Sequence, residues 1–429
     1  MKVVHLSTSV STSSANYRLH TILLKKGIES DILVLHDMCK NLERVHAISG
    51  YGIKYRVYKT LAYYLNIIEF LFLHKIAQVP KGMPYTSGIL GIDVRKIPLV
   101  KKADIIHLHC VNSAFLSLSS LKKLFNMNKP MVITLHDSWF LTGGCHVLNG
   151  CHKFSKECHQ CPQLEYWRIL TTRQFQKKYK IFQKFKNGVL TAPSEWTYKN
   201  VKTSKIASYI PCYIIGNTLD YNVFDIMKDS EITEKIGIIN TKRKIRLLFG
   251  ALNSTVTPYK GFSYLAKALE KLKNERPILA ENIELNVFGS DGTDNEIISM
   301  YECRFWGCIN DERKLAAIYN LCDIYVVPSL EDSFNQTVLE SCACGTPVVS
   351  FKTGGICDII EHKVTGYLAE YKNIDDLISG ILWMIDNNEN NRLGKRARKR
   401  AIEKFSEDSI SKKFIQIYES IAQISTETK

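Results

Sequence analysis

Short runs of aliphatic and β-branched residues alternate with segments of helical periodicity along the whole chain. The runs occupy residues 2–8, 30–36, 103–109, 130–137, 188–194, 212–217, 245–251, 283–289, 323–329 and 347–351. Between them apolar residues recur at helical spacing, as at Phe262, Leu265, Ala266, Leu269 and Leu272. This alternation is typical of parallel sheets covered by helices, so the pattern predicts an α/β fold.

Two series of strands, one in each half, predict two doubly wound domains. The first is expected over residues 1–218 and the second over 219–405, because the chain turns acidic and irregular near residues 217–240. A final helix within residues 406–429 is expected to pack back on the first domain. A chain of 429 residues also exceeds what one hydrophobic core usually supports.

Polar or flexible residues collect where the predicted strands end. They are His109, His136, Asp137, Ser194, Asn217, Gly250, Gly289 and Ser329. In open parallel sheets ligands bind beyond the carboxyl ends of the strands. The sequence therefore predicts a ligand cleft between two such edges, although polar residues also follow strands simply because loops do.

The composition is that of a globular protein with a large basic excess. Hydrophobic residues make up 45% and charged residues 23%, and the net charge is +15. Residues 168–205 carry ten lysines and arginines against Glu195 alone. Nucleic acid, anionic phospholipid or a phosphorylated small molecule would suit this charge. No nucleic-acid-binding motif is found, so nucleic acid is not predicted as a partner. For any single lysine a solvated helix face is the simpler interpretation.

Three features predict a cytoplasmic location. The start "MKVVHLSTSV" fits a first strand and turns polar too early for a signal peptide. The longest apolar stretch, residues 61–73, is interrupted by Asn66 and Glu69 and falls short of the roughly 20 residues that span a bilayer. Thirteen cysteines, an odd number, favour a reducing compartment.

The sequence lacks the motifs of two common nucleotide-binding designs, which makes Rossmann dehydrogenases and P-loop NTPases poor candidates. No G-x-G-x-x-G follows the first strand, and no G-x-x-x-x-G-K-[ST] occurs. An Asp-x-Asp that could hold a divalent cation on a diphosphate is also missing. A nucleotide would therefore have to be held by lysine, arginine and helix N-termini.

The segment "VVPSLEDSFNQTVLESCACGTPVVSFKTGG", residues 326–355, is the most informative. A strand ends near Ser329, a loop carries Asp332, and a helix is predicted from Asn335 to Gly345 with Glu340 inside it. Carboxylates accept paired hydrogen bonds from neighbouring hydroxyl groups, so two acids at this spacing suit sugar recognition. Two solvent-exposed acids are the alternative.

This segment resembles the nucleotide-sugar signature of retaining glycosyltransferases of the GT-B fold, family 4. The match is Asp332 to Glu340 followed by "ACGTPVVSF" and "TGG". Further resemblance covers nearly the whole chain, at residues 134–139, 192–200, 259–269 and 305–329. The resemblance implies two Rossmann-like domains that face a central cleft.

The resemblance also implies a role for individual residues. Glu340 would accept hydrogen bonds from the donor's ribose, and Asp332, where the family usually has glutamate, would lie near the transferred sugar. Lys260 would neutralise the diphosphate. The other donor-binding residues would be Gly307, Cys308 and Ile309 against the base and Thr353, Gly354 and Gly355, whose backbone N–H groups would lie near the diphosphate.

From the first domain, His136 would face the reacting sugar and help to orient it. The family is usually assigned front-face attack through an oxocarbenium-like transition state, which needs no protein nucleophile. A fixed cation and a helix dipole can stabilise the leaving diphosphate. No cofactor is therefore expected to be required for catalysis.

The resemblance implies transfer of a sugar from a nucleotide diphosphate, UDP before GDP, in the synthesis of a capsule- or O-antigen-type polysaccharide. The acceptor would be a polyprenyl-diphosphate-linked or growing cell-surface glycan. Three departures keep alternatives open: Ala251 replaces the family's arginine, ten residues rather than six separate Gly250 from Lys260, and "STSSANYRLH" replaces a Gly-Gly turn. The alternatives are a catalytically silent GT-B scaffold, a nucleotide-sugar epimerase and a phosphorylase.

The loop "TGGCHVLNGCHKFSKECHQCPQL", residues 142–164, concentrates four cysteines. Cys145, Cys151, Cys158 and Cys161 are separated by five, six and two residues, and only the last pair has the C-x2-C spacing of structural zinc sites. The loop resembles that of enzymes making bacterial surface polysaccharides. A structural zinc site and reduced cysteines both remain open.

Residues 51–82 combine Lys54, Arg56 and Lys59 with a dense aromatic and aliphatic run. Such a stretch suits peripheral docking on the anionic inner face of the plasma membrane. A core helix with a basic exposed face is an equal alternative.

Overall fold

The computed structural model describes residues 1–37, 41–238, 244–251, 255–292 and 296–427. The chain divides into two compact units. The first comprises Met1–Thr218 together with Glu407–Lys429, and the second comprises Leu219–Ser406. The change of unit at Leu219 lies inside the acidic, irregular stretch noted in the sequence, of which residues 239 and 240 lie outside the described part.

The first unit contains a seven-stranded parallel sheet of order β3-β2-β1-β4-β5-β6-β7. Its strands are β1 Lys2–Val10, β2 Glu29–Asp37, β3 Val45–Ala47, β4 Ile105–Leu108, β5 Met131–Thr134, β6 Gly188–Ala192 and β7 Cys212–Ile214. The order reverses between β1 and β4, where His5 pairs with His107.

Seven helices of the first unit are described. They are α1 Ala15–Lys25, α2 Ile53–Leu71, α3 Pro98–Lys102, α4 Leu118–Phe125, α5 Arg168–Phe182, α6 Glu195–Thr203 and the final helix α16 Glu407–Glu427. The final helix is part of this unit because Tyr418 is buried and its hydroxyl lies 2.7 Å from His107 Nδ1. Lys25 also pairs with Glu407 at 2.9 Å.

The second unit contains a six-stranded parallel sheet of order β10-β9-β8-β11-β12-β13. Its strands are β8 Ile245–Gly250, β9 Ile283–Phe288, β10 Glu302–Phe305, β11 Ile324–Val327, β12 Val348–Phe351 and β13 Gly366–Ala369. Its helices are α7 Asp229–Ile236, α8 Phe262–Glu275, α9 Pro277–Glu281, α10 Glu296–Ser299, α11 Glu312–Leu321, α12 Gln336–Ala343, α13 Ile356–Ile359, α14 Ile374–Asn387 and α15 Arg392–Phe405.

The central strands of both sheets are buried on both faces, which explains their continuous hydrophobic runs in the sequence. Two doubly wound α/β units were predicted, and this prediction is confirmed. The sequence pattern missed β3, β10 and β13. β3 and β10 have no fully buried residue, and all three strands lie at an edge of their sheet.

No helix among the described residues has both the length and the hydrophobicity needed to cross a bilayer.

Candidate functional site

The strand order of the second unit reverses between β8 and β11, and the predicted donor-binding residues follow these two strands. Lys260 lies in the loop after β8, and Asp332 lies in the loop after β11. Their side chains form an ion pair of 3.0 Å between Lys260 Nζ and Asp332 Oδ2. Both are largely buried, with 20% and 15% of the side chain exposed. Such a reversal is where open α/β sheets bind ligands.

Backbone hydrogen bonds connect the loops that follow β8, β11 and β12. The Leu330 N–H donates to the Tyr259 carbonyl at 2.8 Å, and the Gly355 N–H donates to the Asp332 carbonyl at 2.9 Å. The Thr353 hydroxyl donates to the Leu330 carbonyl at 2.9 Å. The three loops therefore form one rigid rim that fixes the position of the ion pair.

Two glycines permit this close packing. A Cβ on Gly261 would lie 1.8 Å from the Pro328 carbonyl oxygen, and one on Gly354 would lie 2.1 Å from the Asp332 carbonyl oxygen. Both residues also have positive φ, which other residues rarely adopt. Glycine is required at both positions for the loops to meet.

A chain of side-chain hydrogen bonds positions Asp332 from behind. Asn335 Nδ2 donates to Asp332 Oδ2 at 3.1 Å, while Asn335 Oδ1 accepts from the Val338 N–H at 3.0 Å and so caps α12. The Thr337 hydroxyl donates to the same Oδ1 at 2.8 Å and lies 2.8 Å from the Tyr325 hydroxyl. This network links the carboxylate of Asp332 to the core strand β11.

Glu340 lies on α12 and is 4% exposed. The Tyr319 hydroxyl donates to Glu340 Oε2 at 3.3 Å. Burial raises the pKa of Tyr325, and the negative charges of Glu340 and Asp332 raise it further. Asp332 is connected to the Tyr325 hydroxyl through Asn335 and Thr337, and the ring of Tyr319, which holds Glu340, lies 5.7 Å from the ring of Tyr325. The structure thus brings Lys260, Asp332 and Glu340 to one region of the second unit.

The charge of Lys260 is stabilised within the fold. Burial alone would lower the pKa of Lys260. The electrostatic attraction of Asp332 and Tyr259, together with the hydrogen bond to Asp332, outweighs burial and raises this pKa above its usual value. Lys260 is therefore a permanent cation at neutral pH.

The predicted base-binding residues follow the carboxyl end of β10, as Lys260 and Asp332 follow the carboxyl ends of β8 and β11. The Gly289 N–H donates to the Gly307 carbonyl at 2.7 Å, and Thr255 Oγ1 lies 3.1 Å from Ser290 Oγ. These contacts join the loops after β8, β9 and β10. Cys308 is exposed and Ile309 is partly exposed.

The backbone of Gly355 also contributes to the rim. Its N–H donates to the Asp332 carbonyl at 2.9 Å, while the prediction that Thr353, Gly354 and Gly355 lie near the diphosphate of the donor stays a prediction.

His136, the predicted residue of the first unit, ends a row of imidazoles at the carboxyl side of β5. His136 Nε2 lies 2.9 Å from His109 Nδ1, and His109 Nε2 lies 2.9 Å from His5 Nδ1. His5 Nε2 is buried without a hydrogen-bond partner among the described residues. His107 packs beside His109, with ring centroids 4.1 Å apart.

The row fixes the tautomer of His136. A buried N–H without an acceptor costs more than a bare lone pair, so we assign the proton of His5 to Nδ1. His5 then donates to His109 Nε2, and His109 donates through Nδ1 to His136 Nε2. His136 therefore carries its own proton on Nδ1 and can act as a hydrogen-bond donor.

Burial keeps these imidazoles neutral. It lowers the pKa of His136 to about 4, although Asp137 acts in the opposite direction. It also lowers the pKa values of His5, His107 and His109 well below the usual value, and neighbouring histidines lower them further.

Two groups of side chains bear on metal binding. Among the described residues, His5, His107 and His109 are the one set whose ligand atoms lie within 4.8 Å of one another. The four cysteines of the loop instead surround one small cavity.

Lys178 differs from the solvated helix face that is the simpler interpretation for single lysines of residues 168–205. Its side chain is 1% exposed, and its Nζ lies 3.9 Å from the centroid of the Trp139 ring.

Sequence reasoning missed the residues that support the acids, namely Asn335, Thr337, Tyr325 and Tyr319. Asn335 could have been found, since asparagine before a predicted helix is a capping signal. The tyrosines read as ordinary core residues in the sequence.

Comparison with known proteins bears on the enzyme class and the fold. Residues 229–400 match the family described as glycosyl transferases group 1. An uncharacterized glycosyltransferase of Methanocaldococcus jannaschii is 25% identical over 410 residues, covering 92% of this chain and 90% of that protein. The putative colanic acid biosynthesis glycosyl transferase WcaC of Escherichia coli is 27% identical over 277 residues, or 60% of this chain and 62% of WcaC.

The fold also matches that of solved structures. The crystal structure of Anabaena HepE in complex with UDP superposes with a TM-score of 0.64 at 15% identity, covering 98% of this chain and 100% of HepE. Together these matches show a glycosyltransferase with the GT-B fold. Lys260, Asp332 and Glu340 all lie inside the matched residues 229–400.

Replacing Gly261 with alanine should strongly destabilise the second unit. The new Cβ would meet the Pro328 carbonyl oxygen at 1.8 Å, so we expect a loss of about 3 kcal/mol in urea unfolding of the full chain. Gly237→Ala is the matched control, because Gly237 has a similar positive φ but open space around its Cβ, and should cost only about 1 kcal/mol. Equal losses for the two variants would contradict the close approach.

Acid should destabilise the first unit through His136. The unfolded side chain binds a proton below its usual pKa of 6.5, whereas the folded one does so only near 4. Stability is therefore complete above pH 6.5 and falls as the pH drops from 6.5 towards 4, by about 2 kcal/mol at pH 5. Urea unfolding at pH 7.5 and pH 5 measures this loss. His136→Asn should reduce it, the exposed control His152→Asn should not, and equal stability at both pH values would refute it.

Proposed function

We propose that the protein is a retaining, family 4-type glycosyltransferase of bacterial surface-polysaccharide synthesis. It would transfer a sugar from a UDP-sugar to a polyprenyl-diphosphate-linked or growing cell-surface glycan. The observation that carries the donor part is the Lys260–Asp332 ion pair at the reversal point of the second sheet. A cation and a carboxylate side by side match the two halves of a nucleotide sugar, its diphosphate and its hydroxyl-rich sugar.

Each residue would act in a defined way. Lys260 would stabilise the negative charge that builds on the diphosphate as the bond to the sugar breaks. Asp332 would accept hydrogen bonds from the sugar hydroxyls and keep Lys260 protonated. Glu340, held by Tyr319, would accept hydrogen bonds from the ribose hydroxyls.

The first unit would contribute His136. The imidazole would face the reacting sugar and help to orient it. The neutral imidazole suits this role, because a group that does not titrate near neutral pH keeps the same geometry throughout.

The relatives support the identity of donor and acceptor. HepE was solved in complex with UDP and with UDP and glucose. WcaC is named for colanic acid biosynthesis, and colanic acid is a polysaccharide. We infer a UDP-sugar donor and a glycan acceptor by analogy with these two proteins.

Donor turnover tests the proposal. The full chain is incubated with a panel of UDP- and GDP-sugars and a lipid-linked glycan extract, and released nucleoside diphosphate is measured. We expect release from a UDP-sugar, with kcat/KM at least about 100-fold lower in Asp332→Ala and Lys260→Ala, equivalent to about 2.7 kcal/mol of transition-state stabilisation. The anomeric configuration of the product should equal that of the donor.

A second ion pair of the same unit provides the control. Lys271 and Asp375 form an exposed lysine–aspartate pair, so Lys271→Ala and Asp375→Ala should keep full turnover. Turnover of donor without acceptor, giving an epimer, would instead establish the epimerase. Turnover dependent on inorganic phosphate would establish the phosphorylase. No release from any donor would favour the silent scaffold and overturn the proposal.

We further propose that α2 docks the enzyme on an anionic membrane. The alternative of a core helix is not supported, because only Tyr55 and Ala62 of α2 are buried. Large apolar side chains instead form an exposed stripe at helical spacing. Its members and their exposed fractions are Ile53 78%, Val57 61%, Leu61 48%, Tyr64 58%, Ile68 62% and Leu71 46%.

The surroundings of the stripe favour a lipid surface. Phe72, just after α2, packs on Trp167 with ring centroids 5.5 Å apart, and Trp167 is itself 55% exposed. Tryptophan and tyrosine prefer the headgroup region of a bilayer. Lys54 and Arg56 are exposed on the same helix and would attract anionic lipid.

Vesicle flotation tests the docking. The protein should float with vesicles containing phosphatidylglycerol, and Ile53→Glu with Ile68→Glu should reduce bound protein at least about tenfold, since each change places a charge in the apolar layer. Ile278→Glu is the matched control, because Ile278 lies in the second unit and is also 78% exposed. Neutralising Lys54, Arg56 and Lys59 should weaken binding most at low salt.

Two outcomes would contradict membrane docking. One is no flotation of the wild-type protein with anionic vesicles. The other is a dimer in sedimentation that the Ile53 and Ile68 changes dissolve, which would assign the stripe to self-association.

A further inference from the structure

The cysteine-rich loop and α5 enclose a small cavity that the proposed sugar transfer does not use. The cavity has a volume of about 10 Å³, and Cys145, Cys151, Cys158 and Cys161 all line it. A space of this size holds one small sphere, comparable to a single water or ion. Four cysteines of one loop thus line the same small cavity.

Hydrogen bonds within the loop hold the cysteine-bearing backbone in place. The Thr142 hydroxyl donates to the Cys145 carbonyl at 2.6 Å, and Gln163 Nε2 donates to the Val147 carbonyl at 2.7 Å. Fixing the segments that carry the ligands is a role of the groups that surround a metal site.

A buried lysine also fixes the start of the loop. The Lys178 Nζ donates to the carbonyls of Thr142 and Trp139, at 2.7 Å for Thr142. Lys178 belongs to α5, so these hydrogen bonds tie the loop to that helix.

We propose that Cys145, Cys151, Cys158 and Cys161 bind one structural Zn²⁺ ion in a closed tetrahedral site. The ion fixes the loop of residues 142–164 to α5, where Thr172 Oγ1 already donates to the Cys158 carbonyl at 2.9 Å. This proposal does not depend on the proposed sugar transfer.

The side chains must move a little to close the site. Thiolates at about 2.3 Å from zinc stand about 3.8 Å apart in a tetrahedron. The cysteine sulfurs are not among the described groups whose ligand atoms lie within 4.8 Å of one another, so binding draws them inward. Cys151 is the least buried of the four and follows Asn149 and Gly150, both with positive φ, so it lies on a turn that can adapt.

Metal analysis tests the site directly. The full chain, expressed with zinc and purified without chelator, should contain about one zinc per chain by mass spectrometry. Cys158→Ser with Cys161→Ser should remove most of it, while Cys308→Ser, an exposed cysteine of the second unit, should keep it.

Cobalt substitution keeps the test valid if the double variant fails to fold. Wild-type protein loaded with Co²⁺ should show a strong thiolate-to-cobalt charge-transfer band and tetrahedral visible bands. A cobalt spectrum without that charge-transfer band would assign the metal to the His5, His107 and His109 group and overturn the proposal. Less than about a tenth of a zinc per chain after zinc addition would also overturn it, in favour of reduced thiols.

Discussion

The ion pair between Lys260 and Asp332 is the interaction on which the donor site depends. It joins the loop after β8 to the loop after β11, and it lies at the point where the strand order of the second sheet reverses. A largely buried cation or carboxylate left alone would be strongly unfavourable, so each charge requires the other. The same requirement makes the pair ready for a ligand, because a diphosphate and a sugar offer matching charge and hydroxyl groups.

The rigidity of the pair comes from groups that never need to touch a ligand. Gly261 and Gly354 let the backbone segments approach, and Asn335 connects Asp332 to the capped end of α12. In the first unit a comparable arrangement holds His136 through His109 and His5. Both sites therefore use buried hydrogen bonds to orient a polar group at a strand end, which is the general use of a supporting layer in enzymes.

Much of this could be predicted from the sequence, and the limits have physical causes. The central strands were predictable because burial on both faces leaves an uninterrupted apolar run, as in β9 and β12. The edge strand β10 was not, since its residues are partly exposed and mixed in polarity. The spacing of Asp332 and Glu340 was visible, but their support by Tyr319 and Tyr325 depends on which strands become neighbours. Likewise, the amphipathic pattern of α2 could not say whether its apolar side would face a core or the outside.

Hydrogen–deuterium exchange of the full chain with and without UDP or a UDP-sugar tests the central claim most directly. The account predicts slower exchange in the three loops around Lys260, Asp332 and Thr353 and in α12, with the change lost in Lys260→Ala. Protection confined to residues outside the second unit, or unchanged in Lys260→Ala, would contradict it.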